Sequence, residues 1–345
     1  MKTYLVTGGA GFIGSNFIRY LLNNYKEIKV INIDKLTYAG NLENLKGLFN
    51  DNRYEFIKGD ICDKWLIEKI FNENVVDYII NFAAESHVDR SIKSPEVFIR
   101  TNILGVGNLL NVSKDYWENG GNFKEGKRFL QVSTDEVYGS VEDDEYFTEE
   151  TQLDPHSPYS ASKASADLLV KAYYDTYKMP INITRCSNNY GPYQFPEKLI
   201  PLVIDNCINK RKIPLYGDGL NIRDWLFVDD HCRAIDMVIK KGLIGEIYNI
   251  GGHNEKANIY VIKTIINYLK ENFDKSITED LIEYVEDRKG HDRRYAIDPN
   301  KIRKIGWEPT LSFDKGIIKT IKWYLKNKEW LDKVKNKDKK LGDLI

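Results

Sequence analysis

Gly8, Gly11 and Gly14 stand three residues apart directly after an apolar run at 3–6, and apolar positions at helical spacing follow over 12–24. The order strand, glycine turn, helix constrains this chain more than any other feature. The first two glycines permit a tight turn and close approach of the backbone to a pyrophosphate, and the third lets the helix pack against the sheet. The helix start then offers N–H groups and a partial positive charge to the phosphates. Glycine spacing alone is a weak signal, but between a strand and a helix it is a strong one. Asp34 closes the next expected strand, 29–33, twenty residues after Gly14. A carboxylate there accepts the adenosine ribose hydroxyls and repels a 2′-phosphate, so NAD is expected over NADP, with Lys35 softening that preference. Asp60 and Ile61 follow a third strand at 54–57 and are placed to touch the adenine. Asp60 fits a helix N-cap as well.

Further strands are expected at 77–82, 128–133 and 181–186, with 246–250 returning to the sheet. Helices are expected over 95–116, with Ser94 as N-cap and Pro95 in the first turn, and over 157–177. Strand–helix alternation predicts an α/β fold: a Rossmann-type doubly wound parallel sheet with a smaller interleaved C-terminal substrate domain. The expected division is 1–187 with 221–250 for the NAD-binding part, 188–220 with 251–330 for the substrate part, and a lysine-rich tail over 331–345. The chain carries 50 basic and 51 acidic residues for a net charge of −1. It has no basic block, so nucleic acid is not an expected partner. No apolar run approaches the roughly 18 residues of a membrane span, and the N-terminal apolar run is too short for a signal peptide. Cys62, Cys186, Cys207 and Cys232 are widely separated. They read as reduced thiols of a cytoplasmic protein, and no ligand spacing suggests a metal.

Tyr159 and Lys163 stand one turn apart on one face of the 157–177 helix. An unperturbed tyrosine has a pKa of about 10, too high for a base near neutrality. A nearby ammonium, with a positive nicotinamide ring, favours the phenolate, which can then take a proton from a sugar hydroxyl. Asp135 and Glu136 end the fifth strand, at the sheet edge where doubly wound folds bind ligands. A simple dehydrogenase has no use for two adjacent carboxyl groups there. An acid and a base side by side suit elimination of water, one taking a C–H proton while the other protonates the leaving hydroxyl.

Ser133-Thr134-Asp135-Glu136-Val137-Tyr138-Gly139, Ala83-Ala84-Glu85-Ser86-His87-Val88-Asp89-Arg90-Ser91 and Ser157-Pro158-Tyr159-Ser160-Ala161-Ser162-Lys163-Ala164 resemble motifs of one family. So do Asn188-Asn189-Tyr190-Gly191-Pro192, Arg223-Asp224-Trp225 and Asp287-Arg288-Lys289-Gly290-His291-Asp292. Together they resemble the extended short-chain dehydrogenase/reductase family, and within it the sugar-nucleotide 4,6-dehydratases, over about residues 1–325. Lys289 stands where that branch commonly has proline, which leaves the base preference open.

The resemblance implies a lyase that oxidises C4 of a nucleotide-bound glucose, eliminates water across C5 and C6, and reduces C6, with NAD bound throughout. dTDP-glucose is the implied substrate and deoxysugar (for example rhamnose) biosynthesis the implied context. The same reaction on UDP-glucose, or a sugar-nucleotide epimerase or decarboxylase, is the alternative. Tyr159, helped by Thr134 and Lys163, is the implied base for the 4-hydroxyl, Glu136 the base at C5, and Asp135 the acid at C6. For the cofactor the resemblance implies Gly8, Gly11, Phe12, Ile13, Gly14, Asp34, Lys35, Thr37, Asp60, Ile61, Ala83, Ala84, Ser86, Thr101, Tyr159, Lys163 and Asn189. For the sugar nucleotide it implies Ser86, His87, Thr134, Asn188, Lys198, Leu199, Pro214, Tyr216, Arg223, Asn258, Arg288 and His291. Arg223 and Arg288 suit the diphosphate, because guanidinium forks match phosphate oxygens. His87 and His291 are alternatively structural. A homodimer pairing the helices 96–116 and 157–177 is also implied.

Overall fold

In the computed structural model, which describes residues 1–142, 145–287 and 292–342, with side chains to 336 in the last helix, the expected strands join one sheet. The first half runs β1 (Lys2–Thr7), α1 (Phe12–Asn24), β2 (Ile28–Asp34), β3 (Tyr54–Lys58), α2 (Lys64–Glu73), β4 (Tyr78–Asn81), α3 (Val88–Lys93), α4 (Pro95–Phe98) and α5 (Val106–Trp117). A short hairpin of β5 (Glu118–Asn119) and β6 (Asn122–Phe123) leads to β7 (Arg128–Thr134), α6 (Pro158–Tyr177) and β8 (Ile181–Cys186). The second half runs β9 (Asn188–Tyr190), α7 (Leu199–Ile208), β10 (Ile213–Tyr216), β11 (Ile222–Phe227), α8 (Val228–Lys241), β12 (Ile247–Ile250), β13 (Glu255–Ala257), α9 (Asn258–Asn272), β14 (Ile282–Val285), α10 (Asn300–Lys304), α11 (Phe313–Lys326) and α12 (Lys328–Gly342).

Seven strands form an all-parallel sheet in the order β12-β8-β7-β4-β1-β2-β3. Successive side chains on a strand point to opposite faces, and a parallel sheet buries both. Tyr4, Val6, Val30, Ile80 and Leu130 therefore meet α1 and α8 on one face. Leu5, Ile31, Ile33, Ile79 and Phe129 meet α2, α5 and α6 on the other. Strand order reverses between β1 and β4, so the crevice at their C-terminal ends is the topological switch point. Its floor is tied by buried amides: Thr7 Oγ1 donates to Asn81 Oδ1, and Asn81 Nδ2 donates to Gln131 Oε1 at 2.7 Å.

The helix expected over 95–116 is continuous but not uniform. Ser94 occupies the N-cap position without a side-chain cap bond, and Ile99–Gly105 winds as a π-helix between α4 and α5. Such widened turns re-aim side chains at functional sites. Here Asn102 from the wide turn pairs with both backbone groups of Glu85, at 2.9 and 3.0 Å, and with Ser162 Oγ on α6 at 2.8 Å. The spacing rule for an α-helix carries no information about that extra residue.

A second core lies under α7, α9, α11 and α12, built from residues such as Ile204, Trp225, Ile265, Phe313 and Ile321. β11 does not enter the large sheet; it pairs with β9 and β13 in a three-stranded sheet. β10 pairs with β14. Leu331 and Val334, in the segment expected as a lysine-rich tail, are buried in this second core. No helix among the described residues is long and apolar enough to cross a membrane.

Candidate active site

The glycine turn sits at the switch point because no side chain fits there. Gly8 has φ +68°, and a Cβ on it would lie 2.6 Å from the backbone nitrogen of Ala83. A Cβ on Gly14 would lie 2.5 Å from the Gly8 carbonyl oxygen. α1 has no side-chain cap, so the helix presents its start to the cleft. Asp34 accepts from the Ala10 N–H at 2.8 Å and the Leu36 N–H at 2.7 Å. An ionised carboxylate has about four lone-pair sites, so acceptor capacity remains for a ribose. Lys35 forms an ion pair with Asp60 at 2.8 Å, and both line the cleft.

The opposite wall begins with α6. Ser157 accepts from the Ser160 N–H and Ser160 Oγ accepts from the Ser157 N–H, each at 3.0 Å, a reciprocal capping box with Pro158 in the first turn. Such a cap stabilises a helix start by about 1 kcal/mol and here holds the turn that carries Tyr159. Lys163, one turn on, is buried and donates to the Val132 carbonyl at 2.7 Å. Thr134 is the hub between the walls. It hydrogen bonds with Tyr159, donates to Asp135 Oδ1 at 3.2 Å and accepts from the Glu136 N–H at 3.3 Å.

Burial is the largest cause of the shifts at these groups. The Tyr159 phenol is pushed well above its ordinary value by burial and then by the Glu136 carboxylate. Lys163 is itself drawn down by burial, with Asp167 opposing. Asp135 is pushed well above the usual carboxylate range by burial, with Glu136 and Asp224 adding and Arg223 opposing. Its Oδ2 is buried without a protein partner. A buried carboxyl group whose proton is held more tightly, beside a second and less buried one, suits a proton donor next to an acceptor.

All seventeen residues expected at the cofactor line this one cleft, from Gly8 through Thr101 to Asn189, together with Thr134, Asp135 and Glu136. Ser86, Asn188 and Lys198 of the substrate set join them. His87, Leu199, Pro214, Tyr216, Arg223 and Asn258 do not line it. His87 caps α3, accepting from the Arg90 N–H at 3.4 Å, and its Nε2 lies 3.5 Å from Glu197. Leu199 opens α7 immediately after Lys198. Pro214 and Tyr216 lie on β10, and the Asn258 N–H donates to the Asn221 carbonyl. Arg223 stacks 4.2 Å over the Tyr295 ring. Arg288 and His291 lie outside the described residues. Sequence reasoning missed Tyr38, Glu85, Cys186, Gln194, Phe195 and Glu197 in the cleft lining. Glu85 and Glu197 each adjoin a residue already singled out, which was the available signal. Tyr38 carried none. It reaches the cleft because the Arg90 guanidinium stacks 3.9 Å over its ring and Phe195 meets it edge-on at 5.7 Å.

The family model described as GDP-mannose 4,6 dehydratase matches residues 5–320. The chain is 52% identical over 344 residues to a dTDP-glucose 4,6-dehydratase of Neisseria meningitidis serogroup B, covering 97% of each. It is similar to the crystal structure of a dTDP-glucose 4,6-dehydratase from Bacillus anthracis in complex with NAD, at 50% identity and TM-score 0.87, over 97% of this chain and 100% of that one. A dTDP-glucose 4,6-dehydratase from Streptomyces venezuelae with NAD bound matches at 45% identity and TM-score 0.89, over 96% and 99%.

Proposed function

The chain belongs to the GDP-mannose 4,6 dehydratase family, and from that premise we propose that it converts dTDP-glucose to the 4-keto-6-deoxy sugar nucleotide and water. The observation that carries this is the buried Asp135 beside Glu136, bridged by Thr134 to Tyr159, with burial raising the Asp135 carboxyl. Oxidation alone has no use for that acid.

NAD fits the residues present: the Gly8 and Gly14 positions that reject a Cβ suit its pyrophosphate, and Asp34 its adenosine ribose. When bound there, NAD would supply a hydride acceptor for C4 and, once reduced, a hydride donor for C6, so no external reductant would be needed. Tyr159, entering as the phenolate that the Lys163 ammonium and a positive nicotinamide ring would favour, receives the proton of the 4-hydroxyl as C4–O becomes a ketone. Thr134 and Lys163 hold the phenol's wall of the cleft in place. The ketone acidifies the C5 hydrogen. Glu136 takes that proton while Asp135 gives its own to the C6 hydroxyl, which leaves as water as the C5–C6 double bond forms. Glu136 then returns its proton to C5 as C6 is reduced. Asp135 ends one proton short and Tyr159 one proton long, and exchange with solvent resets both.

Residues 1–187 with 221–250 serve chiefly the cofactor, and 188–220 with 251–330 chiefly the sugar nucleotide, with Leu331 and Val334 joining the core of the second part. Four unpaired cysteines suit a cytoplasmic enzyme. Ile99, Leu104 and Leu168 are exposed on the helices over 95–117 and on α6, which suits pairing of these helices with a second copy. Light scattering at working concentration should give twice the mass of one chain; the mass of a single chain would refute the dimer.

Purified protein incubated without reductant with dTDP-, UDP-, CDP- and GDP-glucose tests the reaction, with products read by mass spectrometry. Loss of one water from dTDP-glucose in strong preference is expected. Preference for UDP-glucose would keep the chemistry and overturn the substrate, and no water loss from any of them would overturn the reaction.

A further inference from the structure

His156 immediately precedes Ser157, the cap of α6, three residues before Tyr159. Both of its ring nitrogens face carboxylates. Nδ1 lies 2.7 Å from Asp292 Oδ1 and Nε2 lies 3.3 Å from Asp154 Oδ2. An imidazole that donates from both nitrogens carries two N–H groups and is a cation. Gly139, after the turn that holds Asp135 and Glu136, lets the backbone before His156 approach that turn; a Cβ there would lie 2.6 Å from the Asp154 carbonyl oxygen.

Asp292 is 136 positions further along the chain and gathers substrate-side groups. Its Oδ2 accepts from the Tyr295 hydroxyl at 2.6 Å, and its carbonyl accepts from Arg223 at 3.0 Å and from Asn221 at 3.2 Å. The Arg223 guanidinium stacks 4.2 Å over the Tyr295 ring. These two side chains face the acid–base pair: Arg223 pulls against the raised carboxyl of Asp135, and Glu136 adds to the burial that raises the Tyr295 phenol. A half-exposed histidine thus joins the start of the catalytic helix to the arginine best suited to a diphosphate.

We propose that His156, as an imidazolium clasped between Asp154 and Asp292, is a positioning residue for the sugar nucleotide, holding Arg223 and Tyr295 toward the acid–base pair. The role rests on the dTDP-glucose reaction given above. Among the described residues, the charged groups facing the ring are Asp154 on its own loop and Asp292 across from it; Gly139 brings none. The hydrogen bond to Asp292 raises the histidine above its usual value against a smaller desolvation penalty, and Asp154 adds to the rise. The clasp is therefore intact below that raised value and is lost as pH rises through it. Binding of substrate should weaken on the alkaline side, while kcat follows the groups that touch the sugar.

Steady-state turnover of dTDP-glucose by the holoenzyme from neutral to alkaline pH tests this. His156→Gln should raise KM at neutral pH by roughly three- to ten-fold, in keeping with a partly exposed ion pair, and change kcat by less than about two-fold. Its KM should also lose the alkaline rise seen in the wild type. His156→Arg keeps a permanent cation and should restore a low KM that no longer rises with pH. Asp154→Asn removes the exposed carboxylate and should move the alkaline rise to lower pH, so the test stands even where His156→Gln is unstable. A wild-type KM at every pH in His156→Gln, an equal loss in His156→Arg, or an unmoved alkaline rise in Asp154→Asn would each overturn the proposal. Absence of wild-type turnover would instead remove the reaction on which it rests.

Discussion

Glu136→Gln should stop the reaction after its first half. Addition of dTDP-glucose to the purified variant should build up the absorbance of reduced nicotinamide on the protein, with little product released. Gln keeps the size and polarity of the side chain but cannot take the C5 proton, so elimination has no base. The 4-hydroxyl is still served by Tyr159 and Thr134, whose contacts do not need the Glu136 charge. Loss of one acid or base lowers turnover by roughly a hundred- to ten-thousand-fold. The same change removes an anion that adds to the raised values of both Asp135 and Tyr159, so the first oxidation should not be slowed on electrostatic grounds. Full turnover by this variant would remove Glu136 from the mechanism.

Tyr159→Phe should fail earlier and differently. Turnover should fall by a similar factor, roughly a hundred- to ten-thousand-fold, and no reduced nicotinamide should accumulate. The ring is buried and meets Phe98 edge-on at 6.4 Å, so Phe keeps the packing and the fold. Only the hydroxyl that bonds with Thr134 is lost. Thermal unfolding should therefore stay near that of the wild type while the chemistry stops. Formation of reduced nicotinamide at the wild-type rate would show that another group takes the 4-hydroxyl proton. Together the two variants separate the steps, one halting before the first oxidation and one after it.

What was legible in advance follows from how local each signal is. The turn at Gly8 and Gly14, the carboxylate at Asp34 and the Tyr159–Lys163 pair are short-range patterns. Each is set by backbone geometry within one strand–turn–helix unit or one helical turn. The cleft accordingly gathers all the expected cofactor residues. The wide turn over Ile99–Gly105 left no mark in the apolar spacing, because it is stabilised by Asn102 reaching Glu85 and Ser162, two elements distant in sequence. The apparent tail after 330 reads as solvated because eight of its fifteen residues are Lys or Asp. Yet Leu331 and Val334 are buried, and Trp330 donates to Asn44 at 2.9 Å.

By itself, then, the sequence determined the sheet class, the dinucleotide turn and which polar side chains are candidates for the cleft, since residue type and local spacing dictate those. The tertiary structure alone decided how they are charged and held. The Asp135 carboxyl is raised because the fold buries it beside Glu136 and Asp224, and removal from water disfavours its anion. The clasp of His156 on Asp292 and the seat of Tyr38 between Arg90 and Phe195 likewise exist only where distant segments meet. Burial and through-space charge are properties of that meeting, and no spacing along the chain encodes them directly.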